Sequence, residues 1–425
     1  MESKITDMNV LYDAFKASMQ GSSWKEEPQR FEINFLSELF RLKKEIENRT
    51  YKTSKGSTFI HSERGKKRLI HGGRMRDRVV RHALCDNVLS PALKPYLIYN
   101  NGASQKGKGI SFSRKMLEQD LHNYWIEHGS NDGCIGLLDL SKFYDNMQHD
   151  KIRASICPKL PEEAAWLLSE FLERFEIDVS YMTDEEFERC LDIMFDSIAY
   201  HENVPEEMKT GEKMMPKSVD IGDQASQDIG VFFPTPLDNY AKIVRGCRYY
   251  GRYMDDIYVI AETKEEVRSI MNGIMDKAAE LGLFVNERKT QIVKLSGGFK
   301  YLQIRYTLTD TGRVIRRINP KNITRERRKL KAYKRLLDRG EMQYEDIEVC
   351  FKSWLGDAFR YMSNLQIDNI LTLYHELFGR TPTWKKHSRL RYRTELLSRT
   401  WDSEGTTTSR RKSSQLMTSR ASSAE

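Results

Sequence analysis

The sequence predicts an α+β protein with an all-helical bundle toward its C-terminal end, and two observations carry that expectation. Short apolar runs, Ile135-Gly136-Leu137-Leu138-Asp139-Leu140 and Ile257-Tyr258-Val259-Ile260, have the length and branching of buried strands, and helical patterns such as Lys264 to Leu281 interleave with them. Past residue 316 the strand pattern gives way to helical stretches at Thr324 to Leu337 and Tyr344 to Phe378.

Each element has a local reason. Residues 1–50 carry a Phe35, Leu36, Leu39, Phe40 stripe at helical spacing. From Tyr51 to Ile70 the pattern is strand, basic turn, strand, with Thr58-Phe59-Ile60 and Leu69-Ile70 flanking Arg64-Gly65-Lys66-Lys67-Arg68. Arg76 to Leu89 reads as a helix. Between Glu162 and His201 two acidic helices are expected, with Thr183 and Glu186 forming a capping box at the second. Lys209 to Lys217 reads as a flexible connector to a helix at Gln224 to Phe233, which Pro234 should end. Leu283-Phe284-Val285 and Lys300-Tyr301-Leu302-Gln303-Ile304 read as strands. The basic helix Thr324 to Leu337 has Leu330, Tyr333, Leu336 and Leu337 as its apolar stripe. Past Arg399, a Ser/Thr/Arg composition that includes Arg410, Arg411, Lys412 and Arg420 predicts a disordered arm.

With 425 residues, two or three subdomains are expected, and 39% apolar content supports a real core. No apolar run approaches the roughly 18 residues a membrane span needs. Met1-Glu2-Ser3-Lys4 does not open a signal peptide, and six scattered cysteines without CxxC spacing read as reduced thiols, so a cytoplasmic protein is expected. The net charge of +8 is unevenly spread. Pro161 to Glu212 holds sixteen acids against Arg174, Arg189 and Lys209, leaving the remainder at about +21. Such a basic remainder points to a polyanionic partner, most simply nucleic acid.

The most informative stretch is Tyr253-Met254-Asp255-Asp256, set between Tyr249-Tyr250-Gly251-Arg252 and an apolar run. It reads as a β-hairpin with adjacent carboxylates at its tip, where alternation of faces no longer separates neighbours. Clustered acids are costly unless cations neutralise them, and their natural use is a two-metal phosphoryl-transfer site with ions roughly 3.5–4 Å apart. A solvated Asp-Asp turn is the plain alternative. Asp139, at the end of a buried strand, supplies a third acid, and Leu140 a backbone carbonyl.

Asp139-Leu140-Ser141-Lys142-Phe143-Tyr144-Asp145, Gly222-Asp223-Gln224-Ala225-Ser226-Gln227 and Tyr253-Met254-Asp255-Asp256 resemble motifs A, B and C of reverse transcriptases, in that order. Leu281-Gly282-Leu283-Phe284-Val285-Asn286-Glu287-Arg288-Lys289-Thr290 resembles motif D, Phe299 to Gln303 the primer grip, and Arg64 to Arg68 the fingers hairpin. The resemblance covers roughly Thr58 to Leu377. It implies a right-hand polymerase fold, with fingers, a palm holding an antiparallel sheet and an all-helical thumb. The implied divisions are N-terminal helices and fingers at 1–130, palm with motif A at 131–160, an acidic helical insertion at 161–217, palm with motifs B to E at 218–315, thumb at 316–398 and a basic tail at 399–425.

The resemblance implies an RNA-directed DNA polymerase that uses Mg²⁺, or Mn²⁺ in its place, an RNA template, a DNA or RNA primer and dNTPs. Asp139, Asp255 and Asp256 would be catalytic, and with the Leu140 carbonyl would hold metal. Lys66, Arg68, Tyr144, Gly222, Ser226, Gln227 and Lys289 would bind the nucleotide, Tyr144 as the gate that rejects a ribose 2′-hydroxyl. Arg325, Arg328, Lys331 and Arg335 would meet the duplex backbone. Ile221 to Gln227, with Arg76 to Leu84 and Lys106 to Gly109, is most similar to the diversity-generating retroelement branch, and bacterial antiviral-defence enzymes share much of that pattern. Two other readings stand beside it: a non-catalytic RNA-binding scaffold that keeps the polymerase fold, and a template-independent DNA polymerase in antiviral defence. The acidic insertion, with Trp166, Leu167, Phe171, Leu172 and Phe175 on amphipathic helices, is expected to dock an accessory protein or a second copy of the chain.

Overall fold

The computed structural model describes residues 4–54, 56–63, 65–384 and 389–398. Arg64 and the basic tail past 399 lie outside them. Among the described residues the chain is α+β, and the strands of its central sheet pair antiparallel. It divides into two compact units, one of residues up to 297 with 308–313, the other of 298–307 with those from 314 onward.

The first unit begins with three helices, Met8–Met19, Glu26–Ile33 and Phe35–Glu47, which bury Leu11, Leu39, Leu42 and Ile46. A hairpin of β1 (Ser57–Glu63) and β2 (Lys66–Gly72) follows. The helix Met75–Leu84 continues into a wider turn at Cys85–Leu89, which accounts for the single long helix expected there. The central sheet is built on β3 (Cys134–Ser141). Helix Glu162–Phe175 and a short pair, β4 (Ile177–Asp178) with β5 (Met214–Met215), come next. Strands β6 (Tyr249–Tyr253), β7 (Asp256–Ala261), β8 (Phe284–Val285) and β9 (Gln291–Lys294) complete the sheet. β7 pairs with β3 along one edge, and β8 and β9 pair with successive parts of its other edge. Helix Lys264–Glu280 covers one face. Gly136 makes that approach feasible: a Cβ there would lie 2.3 Å from Met271 Sδ.

Three expectations are corrected here. The stripe Leu167, Phe171, Leu172 and Phe175 is fully buried in the main core, with Trp166 packed against it, so it offers no free face to a partner. Amphipathic spacing reports that a face is covered, not whether the cover is internal. Lys209 to Lys217 is not a loose connector, because Met215 and Lys217 are fully buried and β5 pairs with β4. The acidic stretch also holds three helices, Glu162–Phe175, Asp184–Asp192 and Ser197–Glu202; the Thr183–Glu186 capping box is present as expected.

In the second unit, β10 (Phe299–Tyr301), β11 (Ile304–Leu308) and β12 (Val314–Ile318) form a sheet. The single strand expected over Lys300–Ile304 is instead a hairpin whose turn residues, Leu302 and Gln303, have φ of 42° and 72°. Helices Pro320–Asp338, Tyr344–Ala358 and Asn364–Phe378 bury Leu330, Phe351, Leu355, Ile367 and Tyr374 in one cluster.

Candidate active site

Pairing of β6 with β7 joins Tyr253 to Asp256 and leaves Met254 and Asp255 as a two-residue turn, with Met254 at φ 53°. In the β3–β7 register Asp139 faces Asp256 at the end of the ladder, and the Leu140 N–H donates to the Asp255 carbonyl at 3.2 Å. The Asn286 N–H donates to the Asp139 carbonyl at 2.7 Å, which brings the loop after β8 to the same point. From that loop the Lys289 ammonium reaches both carboxylate oxygens of Asp139 at 2.6 Å. Three segments far apart in sequence are thus held together by backbone hydrogen bonds, which position side chains rigidly.

Asp139 and Asp255 line one cleft of about 640 Å³, together with Lys66, Arg68, Tyr144 and Lys289. Burial pushes the Asp255 carboxyl up, and the Asp139 charge pushes it further, while Lys289 and Lys66 oppose the shift. Asp256 stands next to this pair on β7 and is not among the residues lining the cleft. Among the described residues no group of three His, Cys, Asp or Glu is arranged to hold a metal. The pair that remains is a hard oxygen-donor set, with Lys289 paired to Asp139 and Lys66, Lys67, Arg68 and Lys142 also on the cleft's lining. The residues fit divalent ions on that chemistry.

Tyr144 is half-buried. Its hydroxyl lies 3.8 Å from Met254 Sδ, and its ring lies over Gly230, where a Cβ would sit 3.1 Å from the phenol oxygen. Burial, then the charge of Asp255, pushes its phenol well up. Gly222 is exposed with φ 96°, a left-handed conformation that suits glycine. Two of the expected nucleotide contacts are not on the lining of this cleft. Ser226 is fully buried on the helix Gln224–Phe232, and Gln227 accepts from the Ser104 hydroxyl at 3.0 Å beside a different cleft.

In the second unit, Arg325, Arg328, Lys331 and Arg335 are all exposed on the helix Pro320–Asp338, while Leu330 and its neighbours Ile323, Tyr333 and Leu337 face the cluster beneath. Asn319 caps this helix by accepting from Lys321 N at 3.1 Å. Glu326 is buried on the inner face, and burial raises its carboxyl.

Sequence reasoning missed the buried pair behind the hairpin. Arg252 and Asp238 are both fully buried; Arg252 Nε and Nη2 donate to the two carboxylate oxygens at 2.8 and 2.7 Å, and Tyr250 adds a bond at 2.8 Å. Arg252 Nη1 also reaches the Met254 carbonyl at 3.4 Å, inside the turn. Strand alternation held the clue: Arg252 shares a face with the fully buried Tyr250, so its charge requires a partner.

Residues 230–306 match the family model described as reverse transcriptase (RNA-dependent DNA polymerase). The match contains the Asp255–Asp256 hairpin and Lys289; Asp139, Lys66 and Arg68 lie outside it. A search of curated proteins finds no match. The family match indicates an enzyme of the nucleotidyltransferase class. Within that class the match indicates an RNA-directed DNA polymerase, which implies the use of an RNA template, a primer and dNTPs. Reverse transcriptases generally use divalent metal ions. No helix among the described residues is long and apolar enough to cross a membrane.

Proposed function

We propose that this chain copies an RNA template into DNA by two-metal nucleotidyl transfer at the Asp139–Asp255 cleft, within a right-hand polymerase whose fingers carry β1–β2, whose palm carries β3 and β6–β9, and whose thumb is the helical second unit. The observation that carries the reading is the register of Asp139 against Asp256 together with the Leu140–Asp255 backbone bond, which joins motif A to motif C. Asp139 and Asp255 are the ligands for Mg²⁺, with Mn²⁺ as substitute; Asp256 and the Leu140 carbonyl are outer partners. When bound, the ions lower the pKa of the primer hydroxyl and neutralise charge on the triphosphate.

The chain's own residues do the rest. Lys66 and Arg68 hold the triphosphate with fixed positive charge. Tyr144, braced by Gly230 and Met254, presents its ring where a ribose 2′-hydroxyl would clash. Gly222 supplies a left-handed turn next to Ile221, which lines the cleft. Lys289 balances the Asp139 charge and would hand a proton to departing pyrophosphate. The motif pattern favours a bacterial retroelement or phage-defence enzyme.

Extension of oligo(dT) on poly(rA) with dTTP tests the reading. Wild type should incorporate dTTP with Mg²⁺ or Mn²⁺, and Asp255→Asn should lose at least about a hundredfold in rate. A wild type that never extends the primer would leave the chain an RNA-binding scaffold, and an equally active variant would overturn the Asp139–Asp255 site.

A further inference from the structure

One wall of the cleft comes from outside the motifs. Met194 and Ile198, in the acidic stretch, line it beside Lys66, Arg68 and Tyr144, and Met194 is 49% exposed. The segment between them is fastened to the turn that follows Asp139. Lys142 Nζ meets Asp196 at 2.8 Å, the Ser197 hydroxyl donates to the Asp145 carboxylate, and the Asn146 amide donates to the Phe195 carbonyl at 3.0 Å while accepting from the Phe195 N–H at 2.7 Å. Phe195 itself is fully buried, and its ring stacks on Tyr200 at 5.2 Å. Beneath the same segment, the fully buried Lys217 ammonium donates to the carbonyls of Cys190 and Ile193 at 2.7 and 3.2 Å.

The same cluster carries the hairpin. Leu69 is buried with Ile177, Val179, Phe195 and Met215, Ile60 packs against them, and Lys67 pairs with Glu202. A two-stranded hairpin is marginal alone and takes its stability from what it packs on. This packing therefore fixes where Lys66 and Arg68 stand relative to Asp139.

We propose that residues 177–217 gauge the nucleotide cleft: Met194 and Ile198 form an apolar wall against the sugar and base of the incoming dNTP, and Phe195 is the positioning residue that ties this wall to the basic hairpin. The proposal rests on the polymerase reading above. A thioether and an aliphatic chain cannot hydrogen-bond a triphosphate, so they meet the nucleotide's less polar part. Preorganised contacts of this kind lower the cost of binding more than they alter the chemical step.

The test compares steady-state kinetics of wild type, Met194→Ala and Ile193→Ala, the last removing a neighbouring exposed side chain that does not line the cleft. Met194→Ala should raise the dNTP KM about five- to twentyfold, with kcat within about twofold and affinity for the primed template unchanged; Ile193→Ala should match wild type. A Met194→Ala KM within about twofold of an active wild type overturns the wall, as does an equal rise in Ile193→Ala. Hydrogen exchange gives a readout independent of turnover: Phe195→Leu should speed exchange across 57–72 while leaving β3, β6 and β7 protected. Unchanged exchange at 57–72 overturns the positioning role, even if no nucleotide is ever incorporated. An inactive wild type instead overturns the polymerase reading, and the wall with it.

Discussion

Tyr144 is held in place by what it touches: Gly230 behind its ring, Met254 beside its hydroxyl and Phe143 at an edge-on 5.3 Å. Replacing it with alanine removes bulk without disturbing a charged network, so Tyr144→Ala should fold normally. Competition between dTTP and UTP on an RNA template should then show discrimination against the ribonucleotide falling by about tenfold or more. That Asp139, Asp255, Lys66, Arg68 and Lys289 line one cleft was legible through the order of the motifs they resemble, and for the two acids also because charge beside a short apolar run is unusual. The burial of Ser226 and the place of Gln227 beside another cleft were not legible, because the resemblance orders residues along a helix without saying which face meets a cleft. Asn146 and Lys217 were overlooked because a buried polar side chain looks, in a string of letters, like any surface one.

The β6–β7 hairpin depends on groups behind it. Arg252→Met would strand Asp238 as an uncompensated buried charge, and such losses cost about 3–5 kcal/mol. Urea titration should show that loss, and the double change Arg252→Met with Asp238→Leu should recover much of it. On β7, Tyr258 donates to Asp120 at 2.7 Å from the helix Ile110–His128, and burial raises that carboxyl to about 6. The folded protein therefore holds this proton more tightly than the unfolded chain, and stability falls as pH rises from about 4 through about 6. Asp120→Asn should be more stable than wild type by about 1–2 kcal/mol at pH 7, allowing for the carboxyl's partial exposure, and equal to it below pH 4. Strands β3, β6, β7 and β8 of this sheet were readable from short apolar runs and the Asp-Asp turn, whereas β9, half-exposed and polar at both ends, was not expected. The turn at Leu302–Gln303 was not, since it lacks the glycine or asparagine that usually marks left-handed residues.

Charge is segregated across the whole molecule, with the acidic stretch at 161–212 and a basic remainder. The helix Pro320–Asp338 shows how that remainder is displayed, with its apolar side spent on the cluster of the second unit and Arg325, Arg328, Lys331 and Arg335 facing outward. Changing these four to alanine should weaken binding to RNA–DNA duplexes of every sequence. It should also flatten the plot of log affinity against log salt by about 0.7–0.9 for each phosphate no longer neutralised. A drop confined to one sequence would contradict this. The α+β class was readable from the interleaving of patterns. The role of the acidic stretch was not, because amphipathic helices look alike whether they cover their own core or a stranger's.

That stretch therefore carries a practical consequence. With Leu167, Phe171 and Phe175 sunk in the interior and Lys52 clasping Glu170, residues 162–175 cannot be excised like a detachable ornament. A shortened version made for crystallisation would expose a wound, and a homologue lacking the segment would have had to fill the hole from elsewhere.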